Sequence, residues 1–136
     1  MTYIFDACAL LAFFNREFGK GYETVKNLLE SAAKGEAALC MSHINLVEVH
    51  YRVIQLNGFE VSDMAMESIK KLPIGFISDI SDEVYFETAH YKARYPMSLA
   101  DAFLCATAKS LSAVIVTKDK DIIPAEKDGS LSVLWI

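Results

Sequence analysis

The sequence predicts an α/β fold, a three-layer α/β/α sandwich with a mainly parallel central sheet. Strand-like and helix-like segments alternate along the whole chain, which is typical of strands joined by crossover helices. The clearest strand, Ala113–Thr117, is apolar at nearly every position, as expected for a strand buried on both faces. Hydrophobic residues make up 53% of the 136 residues, so there is enough apolar surface for a packed core.

Five segments are predicted as strands because they are short, rich in β-branched or aromatic residues and bounded by turn signals. They are Thr2–Phe5, Ala37–Met41, Gly75–Ile80, Ala113–Thr117 and Leu131–Ile136. Apolar residues at helical spacing predict helices over Ala7–Phe14, Tyr22–Lys34, His43 to about Leu56, Met64–Leu72, Asp82–Arg94 and Ser98–Leu111. Breaks are predicted at Gly19–Gly21, Gly35, Asn57-Gly58, Pro73 and Pro96, with a turn-rich connection at Pro124–Ser130. No repeat or linker divides the chain, which predicts one domain over residues 1–136.

Composition excludes several classes of protein. No apolar run approaches the roughly 18 residues of a membrane span, and no basic residue precedes an apolar stretch at the N-terminus, so neither a membrane anchor nor a signal peptide is expected. Cys8, Cys40 and Cys105 lie in apolar surroundings without C-x-x-C spacing, which favours reduced thiols in a cytoplasmic protein over a zinc site. The net charge of −5 argues against tight, non-specific binding of a polyanion by a basic surface.

Four acidic residues stand where apolar segments begin or end. They are Asp6, Glu48, Asp101 and Asp119. A carboxylate in an apolar run is costly unless something compensates it. Because ligands of parallel sheets bind beyond the carboxyl ends of the strands, all four are expected to reach that edge. Carboxylates brought together there would repel one another, and the usual compensation is a hard divalent cation such as Mg²⁺. The pattern therefore indicates a metal-dependent phosphodiesterase.

Two of these residues also have a purely structural interpretation. Asp6 is placed to cap the helix Ala7–Phe14. Ser98 and Asp101 have the spacing of a capping box, with Asp in place of the usual Glu. The functional interpretation of Asp101 is the stronger one, because it is the only charge before Lys109 in a helix that is apolar on both faces.

The other two have alternatives of their own. Glu48 has the i,i+4 spacing of a surface ion pair with Arg52. A functional Glu48 is favoured by a polar sector of Asn45, Glu48, Arg52 and Gln55 between two apolar stripes predicted to be buried, which are Ile44, Val47, Tyr51, Ile54 and Leu46, Val49, Val53, Leu56. Asp119 lies either at the strand end or in a solvated turn, and Asp121 is expected to cap or decorate that loop.

The motifs together resemble those of the PIN-domain nucleases, most of all the VapC-type toxins of toxin–antitoxin pairs. They are Asp6-Ala7-Cys8-Ala9-Leu10-Leu11, Ser42 with Glu48, Ser98-Leu99-Ala100-Asp101-Ala102 and Thr117-Lys118-Asp119-Lys120-Asp121. The resemblance implies a Mg²⁺- or Mn²⁺-dependent endoribonuclease with Asp6, Glu48, Asp101 and Asp119 as its catalytic and metal-binding acids. Thr117, Ser98 and Asp121 are expected to support them. Cys8 departs from the Ser or Thr common in the family, and a thiol is a poorer hydrogen-bonding partner than a hydroxyl.

The same resemblance implies an RNA substrate, a homodimer, and a cognate antitoxin with a segment that enters the active-site groove. Substrate phosphates are predicted to contact basic residues near the strand end and before Pro96, although each of these residues is also explained as a plain surface charge. They are Lys118, Lys120, Lys92 and Arg94.

Three other functions are alternatives to this one. A haloacid-dehalogenase-like phosphatase needs Asp-x-Asp after the first strand, where position 8 is Cys. A receiver domain needs a phosphoacceptor aspartate after a mid-chain strand, and Asp79 is the only candidate there. It also needs an N-terminal acidic pair, which this sequence lacks. A catalytically silent PIN-like module that binds RNA or a protein is the remaining alternative. Cys8 and the acidic charge balance favour it slightly, and the complete set of four acids argues against it.

Overall fold

The chain folds around a five-stranded sheet with helices on both faces. The computed structural model describes residues Met1–Ile136. Its strands are β1 Thr2–Phe5, β2 Ala38–Ser42, β3 Gly75–Ile77, β4 Val114–Thr117 and β5 Ser132–Trp135. Its helices are α1 Ala7–Phe14, α2 Lys20–Ala33, α3 His43–Lys70, α4 Asp82–Arg94, α5 Leu99–Leu111 and α6 Ile123–Lys127, with a 3₁₀ turn at Lys120–Ile122. Every strand pairing is parallel, so the predicted fold class is confirmed.

The order of the strands creates a place for a ligand. The sheet runs β3-β2-β1-β4-β5, so the chain moves outward from β1 in one direction and later resumes on its other side with β4. Neighbouring residues pair in register, as Ile4 does with Cys40 and with Ile115. The crevice beyond the carboxyl ends of β1 and β4 is the switch point at which parallel sheets bind ligands.

Two hydrophobic cores hold the helices against the sheet. Successive side chains of a strand point to opposite faces. Phe5 and Val116 pack in the core beneath α1, α2 and α3. Their neighbours Ile4 and Ile115 pack on the other face, beneath α4 and α5. All four side chains are fully buried, which explains why both central strands are apolar at consecutive positions.

Most predicted helix boundaries are met within one or two residues, and two differ for a clear reason. Gly19, with φ of +140°, makes the break before α2, so Gly21 lies inside that helix. Gly58, with φ of +85°, bends α3, but a second helical segment follows directly and runs to Lys70. The predicted interval between two separate helices is therefore absent. No helix of the structure is both long enough and apolar enough to cross a membrane.

One connection and one strand end were predicted incorrectly. The stretch Pro124–Ser130 is not all turn, because Pro124 lies in the first turn of α6. A proline is accepted there since its missing N–H has no helical partner to lose. Strand β3 ends at Ile77 rather than at Ile80, and Ile80 is exposed.

Candidate metal centre

Three aspartates converge at the carboxyl edge of the sheet. One carboxylate oxygen from each of Asp6, Asp101 and Asp119 lies within 4.8 Å of the others. Asp6 directly follows β1, Asp119 follows β4, and Asp101 lies in the first turn of α5. Asp6 is 5% exposed and Asp101 is 6% exposed. We call these three residues the aspartate cluster.

Asp6 is held by hydrogen bonds on both of its oxygens. Oδ1 accepts from the Ala7 N–H at 2.7 Å, and Oδ2 accepts from the Thr117 hydroxyl at 2.7 Å. The Thr117 oxygen in turn accepts from the Asp119 N–H at 2.9 Å. Asp6 therefore caps α1, as its structural interpretation proposed, and also lines the crevice. Thr117 connects the ends of β1 and β4 through a single hydroxyl.

Asp101 also combines a structural contact with a place in the cluster. Its backbone N–H donates to the Ser98 hydroxyl at 3.1 Å, which is the capping contact that the spacing predicted. Burial, followed by repulsion from Asp119 and Asp6, raises the pKa of Asp101 to about 6, and hydrogen bonding with Ser98 offsets only part of this rise. Burial is likewise the main reason that the pKa of Asp6 is raised. None of the three ion pairs in the structure includes a member of the aspartate cluster.

Asp119 does not lie in a freely solvated turn. Its side chain is half-buried, and Oδ1 accepts from the Asp121 N–H at 2.9 Å, which starts the 3₁₀ turn. That turn keeps the Asp119 carboxylate at the end of β4. Asp121 itself is exposed and borders the same crevice.

Glu48 faces the crevice from α3 but lies outside the aspartate cluster. Its Oε2 lies 3.7 Å from Nη2 of Arg52, so the predicted ion pair is present as well. Burial raises the pKa of Glu48; Arg52 lowers it, while Asp6 and Asp119 raise it further.

The predicted helical wheel of α3 was only half right. The stripe predicted to be buried beside Glu48 is exposed by 40% at Ile44, 59% at Val47 and 43% at Tyr51. Asn45, expected in the polar sector, is fully buried instead. On the other flank Leu46, Val49 and Val53 pack into the core, whereas Leu56, predicted to be buried with them, is 75% exposed.

The crevice is a cavity of about 370 Å³. Its lining residues are Asp6, Cys8, Glu48, Arg52, Ser98, Asp101, Lys118, Asp119 and Asp121. We call it the acidic cavity, because five of these side chains are carboxylates and two are cations. The structure thus brings all four predicted acids into one cavity, with Ser98 and Asp121 beside them. Thr117 lies behind the lining and acts on it through its hydrogen bonds.

Cys8 borders the acidic cavity and also contacts Asp6 and Thr117. Its sulfur lies 3.5 Å from Asp6 Oδ2 and 3.4 Å from the Thr117 hydroxyl oxygen, and it accepts from the Lys118 N–H at 3.4 Å. Burial and the Asp6 carboxylate raise the pKa of Cys8 to about 11, so it remains a neutral thiol. It therefore offers Asp6 a weak donor where a hydroxyl would offer a strong one.

Of the four basic residues predicted to contact phosphate, only Lys118 lines the acidic cavity, and its Nζ lies 3.4 Å from Glu17 Oε2. Lys120 and Lys92 lie outside the lining, and Arg94 borders a separate hollow on α4. Arg52 lies on the cavity rim; the sequence placed it in the polar sector of α3 as a partner of Glu48 and did not predict that it binds substrate. Its spacing of one helical turn from Glu48 was the signal that could have revealed it.

The fold and the aspartate cluster together define a parallel α/β protein with an acidic site at its topological switch point. The sequence profile of the PIN domain matches residues 3–127. The chain therefore belongs to the PIN domain family, and the predicted resemblance is confirmed. No curated protein sequence matches the chain.

Solved structures with the same fold include proteins of toxin–antitoxin pairs. VapBC2 from Rickettsia felis, bound to a DNA fragment from its promoter, has a TM-score of 0.76 at 16% identity, over 99% of this chain and 98% of that one. VapBC-1 from nontypeable Haemophilus influenzae has a TM-score of 0.71 at 15% identity, over 98% and 97%. VapC20 from Mycobacterium tuberculosis, a toxin that cleaves the Sarcin-Ricin loop, has a TM-score of 0.69 at 15% identity, over 92% and 95%. At these identities the likeness shows a shared fold.

Proposed function

We propose that the protein is a Mg²⁺- or Mn²⁺-dependent endoribonuclease of the VapC type, the toxin of a toxin–antitoxin pair. The observation that carries the proposal is the aspartate cluster, in which two carboxylates are almost fully buried and no cation is paired with any of the three. Such a group is unfavourable unless it binds a positive ligand. Membership of the PIN family and structural likeness to VapC20, a toxin that cleaves the Sarcin-Ricin loop, support RNA as the substrate.

The side chains suit a hard divalent ion. Carboxylate oxygens are the ligands that Mg²⁺ prefers, and two ligands of one Mg²⁺ lie at most about 4.2 Å apart. Since the cluster oxygens lie within 4.8 Å of one another, a small side-chain adjustment lets them share an ion. Asp6, Asp101 and Asp119 would hold it, with Glu48 contributing directly or through water. When bound, the ion supplies a Lewis acid that activates water and offsets charge on the phosphate.

The chain itself provides position and charge for hydrolysis of a phosphodiester. Thr117 and Ala7 fix the Asp6 carboxylate, and the turn at Asp121 fixes that of Asp119. Lys118 lies on the rim, where its ammonium group can contact the RNA backbone. No histidine lines the cavity, so proton transfer falls to water and the carboxylates.

The proposal is tested by replacing Asp101 with Asn. We expect the variant to fold and to lose Mn²⁺-dependent RNA cleavage, measured on a labelled RNA by gel electrophoresis. Asp79→Asn is the matched control, because Asp79 is an exposed aspartate outside the acidic cavity. Retained cleavage by Asp101→Asn would remove the cluster from the mechanism. Wild-type protein that binds RNA and Mn²⁺ without cleaving would indicate the silent module instead.

The oligomeric state and the partner are part of the same proposal. We propose that a second copy covers an exposed apolar hollow between α3, α4 and α5, which is lined mainly by Ile44, Ile80, Tyr85, Leu99 and Phe103. Sedimentation should show a dimer.

An antitoxin segment with a basic side chain would suit the acidic cavity, where carboxylates outnumber cations. Co-expression with a small reading frame immediately upstream should give a complex that suppresses cleavage. A cytoplasmic location, where RNA is available, follows from this proposal.

A further inference from the structure

Arg52 is the cation best placed to meet a phosphate in the acidic cavity. Only Arg52 and Lys118 contribute positive charge to its lining, against five carboxylates. With one divalent ion bound the lining would still carry a formal net charge of −1, so its two cations reduce the repulsion of an entering polyanion. Lys118 is paired with Glu17, whose Oε2 lies 3.4 Å from its Nζ. Arg52 approaches from α3, so the two cations stand on different elements of the rim.

The contact between Arg52 and Glu48 is easily exchanged for another. The distance of 3.7 Å exceeds the 2.7–2.9 Å of a strong charge-assisted hydrogen bond. The Arg52 side chain is also 51% exposed, and solvated pairs of this kind stabilise a protein little. A guanidinium group presents planar N–H donors that match two phosphate oxygens. Phosphate is therefore a better partner for Arg52 than a single, distant carboxylate oxygen.

Arg52 also lies between the acidic cavity and a neighbouring surface along which an RNA strand could continue. It borders the acidic cavity and a neighbouring hollow lined by Tyr51, Gln55 and Leu56. Tyr51 is 43% exposed, and exposed aromatic rings stack on the bases of single-stranded nucleic acid.

We infer that Arg52 binds an RNA backbone phosphate adjacent to the cleaved bond, exchanging its weak contact with Glu48 for that phosphate. The inference rests on the proposed ribonuclease function and adds a substrate-binding residue to it. Arg94, the arginine that the sequence favoured, is then not the principal phosphate contact, since it borders a separate hollow on α4.

The test compares Arg52→Gln with Arg94→Gln, which remove the same charge from two places. RNA affinity is measured by fluorescence anisotropy in the Asp101→Asn background, with a short single-stranded RNA, across a series of salt concentrations. For Arg52→Gln we expect affinity to fall on the order of tenfold and the log–log salt slope to become shallower by about 0.7. Arg52→Lys should keep the slope and recover part of the affinity. Lys26→Gln, an exposed cation on α2, controls for net charge.

The outcomes separate this inference from the proposed function. In the otherwise unchanged enzyme, Arg52→Gln should raise KM more than it lowers kcat, with an unchanged melting temperature. If wild-type protein cleaves RNA and Arg52→Gln binds no more weakly than Arg94→Gln and Lys26→Gln, this inference alone is overturned. If wild-type protein neither binds nor cleaves RNA, the proposed function is overturned together with it.

Discussion

Asp101→Asn should make the metal-free protein more stable while it abolishes activity. The pKa of Asp101 is raised to about 6 from 3.8, a difference that corresponds to about 3 kcal/mol against the charged form in the folded protein. Water in the cavity screens part of that penalty, so we expect roughly 1–3 kcal/mol. Asn has nearly the same shape and stays neutral, so it avoids the penalty at every pH.

The sign of the pH dependence follows from linkage. Because the folded pKa of Asp101 lies above its unfolded value, the folded state binds this proton more tightly. The stability that protonation contributes is complete below about pH 4 and is lost as the pH rises through about 6. The advantage of Asp101→Asn should therefore be absent near pH 4 and reach its full size above pH 7.

The assay is urea unfolding in EDTA at several pH values, with Asp79→Asn as the control. At pH 7.5 the gain corresponds to a melting temperature higher by roughly 3–10 °C, whereas the control should stay within about 0.5 kcal/mol of wild type. Mn²⁺ at a hundred times its Kd for wild type should close or reverse this gap, since only wild type retains the full site and such a ligand adds about 2.7 kcal/mol. An Asp101→Asn protein that is less stable than wild type in EDTA at pH 7.5, or a gap that does not change with pH, would refute the reasoning.

Three further perturbations probe the same site. Thr117→Val removes the hydroxyl that joins Asp6 to the Asp119 N–H, so we expect a loss of about 1–3 kcal/mol in urea unfolding and weaker Mn²⁺ binding by calorimetry; Thr107→Val, whose hydroxyl contacts only its own helix, should lose less. Cys8→Ser gives Asp6 a stronger donor and should tighten Mn²⁺ binding a few-fold, and a weaker affinity would contradict the role assigned to the thiol. Mn²⁺ affinity should fall as the pH drops through about 6, because a proton then competes for Asp101; calorimetric titrations at pH 5 and pH 7 that agree would exclude such competition.

The local sequence pattern was sufficient to predict the architecture of this chain and the convergence of Asp6, Asp101 and Asp119. Apolar runs between turn signals mark the strands, and parallel strands must place their carboxyl ends at one edge. Asp6 and Asp119 follow two such strands, so their convergence did not depend on side-chain detail. Asp101 could be recognised because a lone charge in a helix that is apolar on both faces needs a partner. The family resemblance rests on these same short motifs.

The directions of side chains and their packing against neighbouring elements could not be predicted from the sequence pattern. Which flank of the Glu48 helix is buried depends on its packing against α1 and β2, which covers Val49 and Val53 and leaves Ile44, Val47 and Tyr51 exposed. For the same reason Arg52 reaches the cavity rim while Arg94, a similar residue in the sequence, lies on a separate hollow. The link through Thr117 joins residues more than a hundred positions apart, and it exists only because β1 and β4 pair in one particular register. Periodicity along a chain reports which face of an element is apolar, but a contact between distant residues depends on how the elements are assembled in space.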